Sequence, residues 1–170
     1  MVRKRIIIIT GPGFEDTEVG FPHEALLEKG FKIDVATSNN QEVIGKHGYT
    51  IKPTVKYEEL KSKNYDCVII PGGHEAPDRV RQVKEILAFV REMFKTGKII
   101  SSTCHGPWVL ISAGIMRGKK ATCYPGMKDD LINAGARYKV KPVVVDENII
   151  TSDHPRNLGP WVDQTIKRLS

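Results

Sequence analysis

The segment Ser101-Ser-Thr-Cys104-His105-Gly106-Pro107 places a cysteine between a strand-like run and a proline suited to a first helical turn. A nucleophile at such a turn stands at the top of a sheet on a sharp, strained elbow, and small neighbours give it room. Free amides and the dipole at the helix start favour thiolate, so the Cys104 pKa is expected below the free value of about 8.5. The chemistry this suggests is attack of sulfur on a carbonyl carbon. A cysteine is more usually a buried small hydrophobe. That description suits Cys67, inside an apolar run, and nothing in the sequence activates Cys123.

Other residues qualify as helpers. His105 follows the cysteine directly, although neighbours on a tight turn point in different directions, and a catalytic histidine needs a carboxylate to orient it. Asp78 and Glu75 lie in another candidate site loop. Glu15 follows the Gly11-Pro-Gly13 turn. A carboxylate beside a thiolate is pushed towards its protonated form and then donates a hydrogen bond to sulfur. Glu15 reads equally well as a first-turn helix acid, as do Asp16 and Glu18. Gly72 and Gly73 offer paired backbone N–H groups for an oxyanion hole, or form a plain turn. Gly11-Pro-Gly13 starts like a dinucleotide fingerprint, but Asp16 occupies the last glycine position. The five histidines show no ligand spacing, so neither a metal nor a cofactor is expected.

These residues need a frame. Strands are predicted at Ile6–Thr10, Phe31–Thr37, Asp66–Ile70, Lys98–Thr103, Val143–Asp146 and Ile149–Ser152. Helices are predicted at Thr17–Glu28, across the apolar positions Val80 to Phe94, and at Pro107–Ala113, Met127–Ala134 and Leu158–Leu169. Gly45-Lys-His-Gly48 reads as a turn between short extended pieces. Alternating strands and helices signal a parallel sheet covered on both faces. Ligands of such sheets bind beyond the carboxyl ends of the strands, where the loops Gly11–Asp16, Pro71–Asp78 and Thr103–Pro107 converge.

The 170 residues suit one domain, spanning 1–170, without repeats or linkers. The net charge of +6 raises nucleic acid as a partner, but acidic residues interleave the basic ones and aromatics make up only 7%. We read the charge as solubility and expect no nucleic-acid partner. Three cysteines without paired spacing suit a reducing cytoplasm. The apolar run after Arg5 is too short for a signal peptide, and no stretch approaches the roughly 18 apolar residues of a membrane span. A soluble, cytoplasmic protein is expected.

With these residues in view, the chain resembles the ThiJ/PfpI family, particularly its PfpI-type intracellular cysteine proteases and deglycases. The resemblance runs nearly end to end. It is carried by Phe14-Glu15-Asp16, Gly45-Lys-His-Gly-Tyr49, Val68-Ile-Ile-Pro-Gly-Gly73, Pro77-Asp78-Arg-Val-Arg81, Cys104-His105-Gly106-Pro107, Leu110-Ile-Ser-Ala-Gly114, Tyr124-Pro-Gly126 and Asn133-Ala-Gly135. It implies a flavodoxin-like three-layer sandwich with a mainly parallel central sheet. It also implies Cys104 as nucleophile, Glu15 as its protonated partner, His105 as acid/base, and an oxyanion hole from the Gly73 and His105 amides. We place Tyr124 with Gly72 and Gly73 among the oxyanion- and substrate-binding residues. By position, Asp78 is the acid that orients histidine from a neighbouring subunit, so dimers assembling to hexamers with interfacial sites are implied.

Two departures stand out. His74-Glu75-Ala76 is one residue longer than the usual link, which leaves Glu75 a competitor of Asp78. Asp153-His154 stands where relatives often carry Ser-Arg. The function this favours is glyoxalase- or deglycase-like hydrolysis of 2-oxoaldehydes and their adducts through Cys104. An intracellular peptidase with the same site is the alternative, as is a redox sensor or stress-protective holdase. A glutamine amidotransferase ranks low, because His154-Pro-Arg156 does not supply a late His-x-Glu.

Overall fold

The computed structural model of the chain describes residues 3–170. Its first strand, β1 (Arg5–Thr10), buries Ile6 to Ile9 completely. Their side chains alternate between two cores. Ile6 and Ile8 pack with Val19, Leu26 and Trp161, whereas Ile7 and Ile9 pack with Val90, Met93 and Leu110. A strand covered on both faces is apolar at every position, which is why this run shows no polar alternation.

The chain continues through α1 (Asp16–Glu28), β2 (Lys32–Thr37), a small hairpin of β3 (Val43–Ile44) and β4 (Thr50–Ile51), β5 (Cys67–Ile70), α2 (Glu75–Val80) and α3 (Lys84–Lys95). Then follow β6 (Ile99–Thr103), α4 (Pro107–Ser112), β7 (Lys120–Ala121), α5 (Lys128–Asn133), β8 (Arg137–Tyr138), β9 (Val143–Asp146), β10 (Ile149–Ser152) and α6 (Leu158–Leu169). The main sheet runs β2-β1-β5-β6-β10-β9, parallel except for β9. Helices α1 and α6 cover one face, and α3, α4 and α5 the other. This is a flavodoxin-like three-layer sandwich. Strand order reverses between β1 and β5, so the crevice beyond their carboxyl ends is the place for a ligand.

The structure departs from the sequence reading in several places, and the helix expected across Val80 to Phe94 is divided, since Val80 ends α2 and α3 begins at Lys84. The segment Pro71–Asp78, read as loop, turns helical at Glu75, where Ala76, Pro77 and Val80 face inward. A helix of six residues is too short to show a period. The helix predicted at Met127–Ala134 is a 3-10 turn followed by α5. The pairing of β7 with β8 rests on two residues from each strand and left no sequence signal.

One contact carries the hairpin to the site. The Asp16 carboxylate accepts the His47 N–H at 2.9 Å and the Tyr49 N–H at 2.7 Å. The Lys46 N–H donates to the Phe14 carbonyl at 2.9 Å. Gly45 makes the approach possible, since a Cβ there would lie 2.5 Å from Asp16 Oδ2. The turn 45–48 is therefore fixed over the β1–α1 loop. Hydrogen bonds to a charged group contribute roughly 1.5–3 kcal/mol each, so Asp16→Ala should speed amide exchange at His47 and Tyr49 by about tenfold or more. Exchange in β1 should stay slow, and unchanged rates at both turn amides would contradict this assignment.

Candidate active site

Cys104 follows β6 with φ at +56°, a left-handed conformation rare outside glycine. Such a residue costs on the order of 1–3 kcal/mol and persists only where its surroundings fix it. Here the Cys104 N–H donates to the Ser152 carbonyl at 3.0 Å, and its own carbonyl accepts the Tyr124 N–H at 3.0 Å. The Gly106 N–H closes the turn onto the Thr103 carbonyl at 2.8 Å. A Cβ on Gly106 would strike the Ile70 carbonyl and Ser102 Oγ, so the glycine is required by the sheet beneath rather than by the sulfur. The strained elbow read from the sequence is present.

The carboxyl beside the thiol is that of Glu18. Glu15, the residue proposed from the sequence, lies instead on the cavity wall, turned to Lys46 rather than to the thiol. It pairs with Lys46 Nζ at 3.0 Å and approaches His47 Nε2 at 3.8 Å. The physical reason is helix geometry. Glu15 is the residue just before α1, while Glu18 shares an inward stripe with Val19, Pro22 and Leu26. That spacing of four residues is a signal the sequence held. Glu18 has no exposure to water, and its Oε2 accepts the Gly72 N–H at 2.5 Å. Gly72 is needed for closeness, because a Cβ there would lie 2.6 Å from Glu18 Oε2 and 2.8 Å from Cys104 Cβ. Its amide is thus committed to Glu18 and is not half of an oxyanion hole.

Burial raises Glu18 from 4.5 to about 8, against the lowering effect of the Gly72 N–H and the Cys104 thiol. Burial, followed by the charge of Glu18, also pushes the Cys104 thiol up, while the amides of His105 and Gly73 pull it down. The depression expected from the helix start is therefore overridden by desolvation. At neutral pH both groups hold their protons. His105 completes the set, with Nδ1 at 3.2 Å from Cys104 Sγ. Its pKa falls to about 4 through burial, then through His74 and Lys46, which leaves the imidazole neutral and able to accept a proton.

The His105 ring is clamped by aromatic contacts. Tyr124 stacks on it at 4.6 Å, His74 lies at 4.4 Å and Trp108 meets it edge-on at 5.0 Å. No carboxylate of the same chain is hydrogen-bonded to the ring among the described residues. Glu75 pairs with Arg79 at 3.3 Å on the surface, and the exposed Asp78 carboxyl accepts from Gln82 at 3.4 Å.

A cavity of about 210 Å³ opens over the sulfur, lined by Lys46, Gly73, His74, Tyr124 and His154 among others. Gly73 reaches it at φ +86°, where a Cβ would strike the backbone of Gly13 and Glu15. Glu18, Lys46 and His74 were not selected from the sequence. Lys46 sits on the turn read at Gly45–Gly48 and His74 in the segment Pro71–Asp78, but that these side chains meet at the sulfur is a matter of docking that no local pattern reveals. No group of three or more His, Cys, Asp or Glu side chains among the described residues is placed to hold a metal ion. No helix among them is long and apolar enough to cross a membrane.

The model of the DJ-1/PfpI family matches residues 4–168. The chain belongs to the DJ-1/PfpI family. The deglycase PfpI of Pyrococcus furiosus is 38% identical over 165 residues, covering 97% of this chain and 99% of that protein. Bacillus subtilis YraA, provisionally named a cysteine protease, is 36% identical over 167 residues, covering 98% of each. Among solved structures, a two-domain Anabaena variabilis protein with DJ-1/ThiJ/PfpI-like and ferritin-like domains has a TM-score of 0.96 at 36% identity. The match covers 98% of this chain and 48% of that one, so the chain spans about half its length. Drosophila melanogaster DJ-1beta has a TM-score of 0.93 at 29% identity, covering 99% of this chain and 91% of its own. DJ-1/PfpI relatives thus carry the names of two enzyme classes, deglycase and cysteine protease.

Above pH 8 the Glu18 carboxylate should oppose formation of a Cys104 thiolate, and Glu18→Gln removes that opposition. Iodoacetamide labelling of Cys104, followed by mass spectrometry, should be several-fold faster in Glu18→Gln than in wild type at pH 9 and nearly equal at pH 6. The same ratio at both pH values would contradict this electrostatic arrangement.

Proposed function

We propose that the protein is a cysteine-dependent hydrolase with glyoxalase- or deglycase-like action on 2-oxoaldehydes and their adducts. The observation that carries this reading is the 3.2 Å contact between Cys104 Sγ and a neutral His105 Nδ1 over a small cavity. As sulfur attacks the aldehyde carbon of methylglyoxal, His105 Nδ1 takes the thiol proton. Glu18, held neutral, adds no negative charge beside the growing one. The Gly73 and His105 amides, which already face the sulfur, stabilise the oxyanion. The resulting hemithioacetal loses its C1 proton to His105, and C2 regains a proton, giving a lactoyl thioester. Water cleaves that thioester to lactate and free thiol. The net change is addition of one water to methylglyoxal, with C1 oxidised and C2 reduced.

The remaining part of this reading is an orienting acid. With none reaching His105 among the described residues of the same chain, Asp78 of a second copy takes that role, in a dimer or larger assembly with the site at the subunit interface. A peptidase would use the same sulfur and amides, but a small cavity of about 210 Å³ suits a small carbonyl better than a folded chain. A redox sensor or holdase has no use for an imidazole held at sulfur.

Wild type should convert methylglyoxal to lactate, and Cys104→Ser should lower kcat/KM by roughly 10³-fold or more. Asp78→Asn should lower kcat by roughly 10–100-fold without changing the oligomer seen by light scattering, as loss of an orienting acid does. Inert wild type with Cys104 confirmed reduced would contradict the reading. Full activity in Asp78→Asn would remove the second copy from the mechanism.

A further inference from the structure

The cavity extends past the reacting atoms to His154 and Pro155. Three rings stack outward from the sulfur. His105 meets Tyr124 at 4.6 Å and 26°, and Tyr124 meets His154 at 5.9 Å and 27°. His154 therefore lies one ring beyond the group that faces the thiol. Its own conformation is fixed by the turn it begins. Nδ1 accepts the Arg156 N–H at 3.2 Å, and its carbonyl accepts the Asn157 N–H at 2.9 Å. Asp153 Oδ1 accepts the Asn157 side-chain amide at 2.7 Å, which braces the same turn. With Nδ1 an acceptor, a neutral ring carries its proton on Nε2, so His154, which lines the cavity, holds an N–H donor there.

Charge on the lining is balanced, so an incoming group meets no net charge. The single carboxylate of the lining, Glu15, is paired to its single ammonium, Lys46, and the other titratable lining groups besides Cys104 and Tyr124 are the imidazoles of His74, His105 and His154. A water claims about 30 Å³, so a cavity of about 210 Å³ holds more than the five heavy atoms of methylglyoxal. The space left over is bordered by Tyr124 and the imidazoles of His74 and His154.

Resting on the glyoxalase- or deglycase-like reading, we propose that His154 is a specificity-determining residue that selects 2-oxoaldehyde adducts of small carriers bearing a carboxylate. The carrier lies at the His154 end and the aldehyde carbon at Cys104. With a thiol carrier, release breaks the carrier C–S bond and restores the aldehyde carbonyl. The hydroxyl proton passes to the departing thiolate, and Cys104 then adds to the carbonyl. A carboxylate tail accepts the Nε2–H, a neutral amide tail accepts it less strongly, and an ammonium tail, with no lone pair to offer, cannot accept it.

The test measures lactate formation from methylglyoxal held as its hemithioacetal with excess N-acetylcysteine, N-acetylcysteine amide or thiocholine, whose quaternary ammonium cannot condense with the aldehyde. In wild type, kcat/KM should fall in that order, with roughly tenfold between carboxylate and amide, as a charge-assisted hydrogen bond gives. His154→Phe keeps a ring against Tyr124 and removes the donor, so it should bring the carboxylate-to-amide ratio close to one through KM. Equal rates for the three adducts in wild type, or a ratio that survives His154→Phe, would overturn the assignment of His154 while leaving the proposed reaction intact. Failure of wild type to form lactate from free methylglyoxal would instead overturn the reaction itself.

Discussion

A carboxyl group with no exposure to water rests against a thiol, and the rest of the site is arranged around that cost. Glu18 is removed from solvent by the inward stripe of α1, and one of its oxygens accepts the Gly72 amide. A buried carboxylate is expensive, so the group keeps its proton to about pH 8. Neutrality at Glu18 is what allows negative charge to develop on Cys104. Gly72 has to be glycine for the same reason, since a side chain there would separate carboxyl from cysteine. The left-handed turn at Cys104 then aims the sulfur into the cavity, with the amides of His105 and Gly73 facing it.

Positioning is shared among elements far apart in sequence. The α1 start supplies Glu18 to the sulfur and Asp16 to the hairpin turn that carries Lys46. The β5 exit supplies Gly72 and Gly73, and the β6 exit supplies Cys104 and His105. Segments beyond β7 and β10 contribute the rings of Tyr124 and His154, which extend the wall away from the sulfur. All of these meet beyond the carboxyl ends of the strands, where a doubly wound sheet whose strand order reverses opens a crevice for a ligand.

Much of this frame was legible in the sequence because its strands are buried on both faces. Ile6 to Ile9 and Cys67 to Ile70 are continuous apolar runs, and each stops at glycine and proline. The elbow was legible for a similar reason, as Cys-His-Gly-Pro joins a strand to a helix without a spacer. The sulfur's carboxyl partner was misread because Glu15, Asp16 and Glu18 all crowd one helix start. Only the stripe through Pro22 and Leu26 tells which acid turns inward. The direction of the thiol's pKa was also misjudged. The helix start is local, whereas the burial that opposes it comes from elements elsewhere in the chain.

The central claim is that Glu18 is neutral in the folded protein at neutral pH, and pH-dependent stability tests it directly. Its pKa is about 8 when folded and 4.5 when free, so the folded state binds the extra proton between those values. Unfolding free energies of wild type and Glu18→Gln should be measured by urea titration from pH 4.5 to pH 8. Stability due to the neutral carboxyl is lost as pH rises through this window. At about 1.4 kcal/mol per pKa unit, wild type should lose on the order of 5 kcal/mol relative to Glu18→Gln. A difference between the two proteins that stays flat across the window would show that Glu18 is ionised throughout, and would contradict the account.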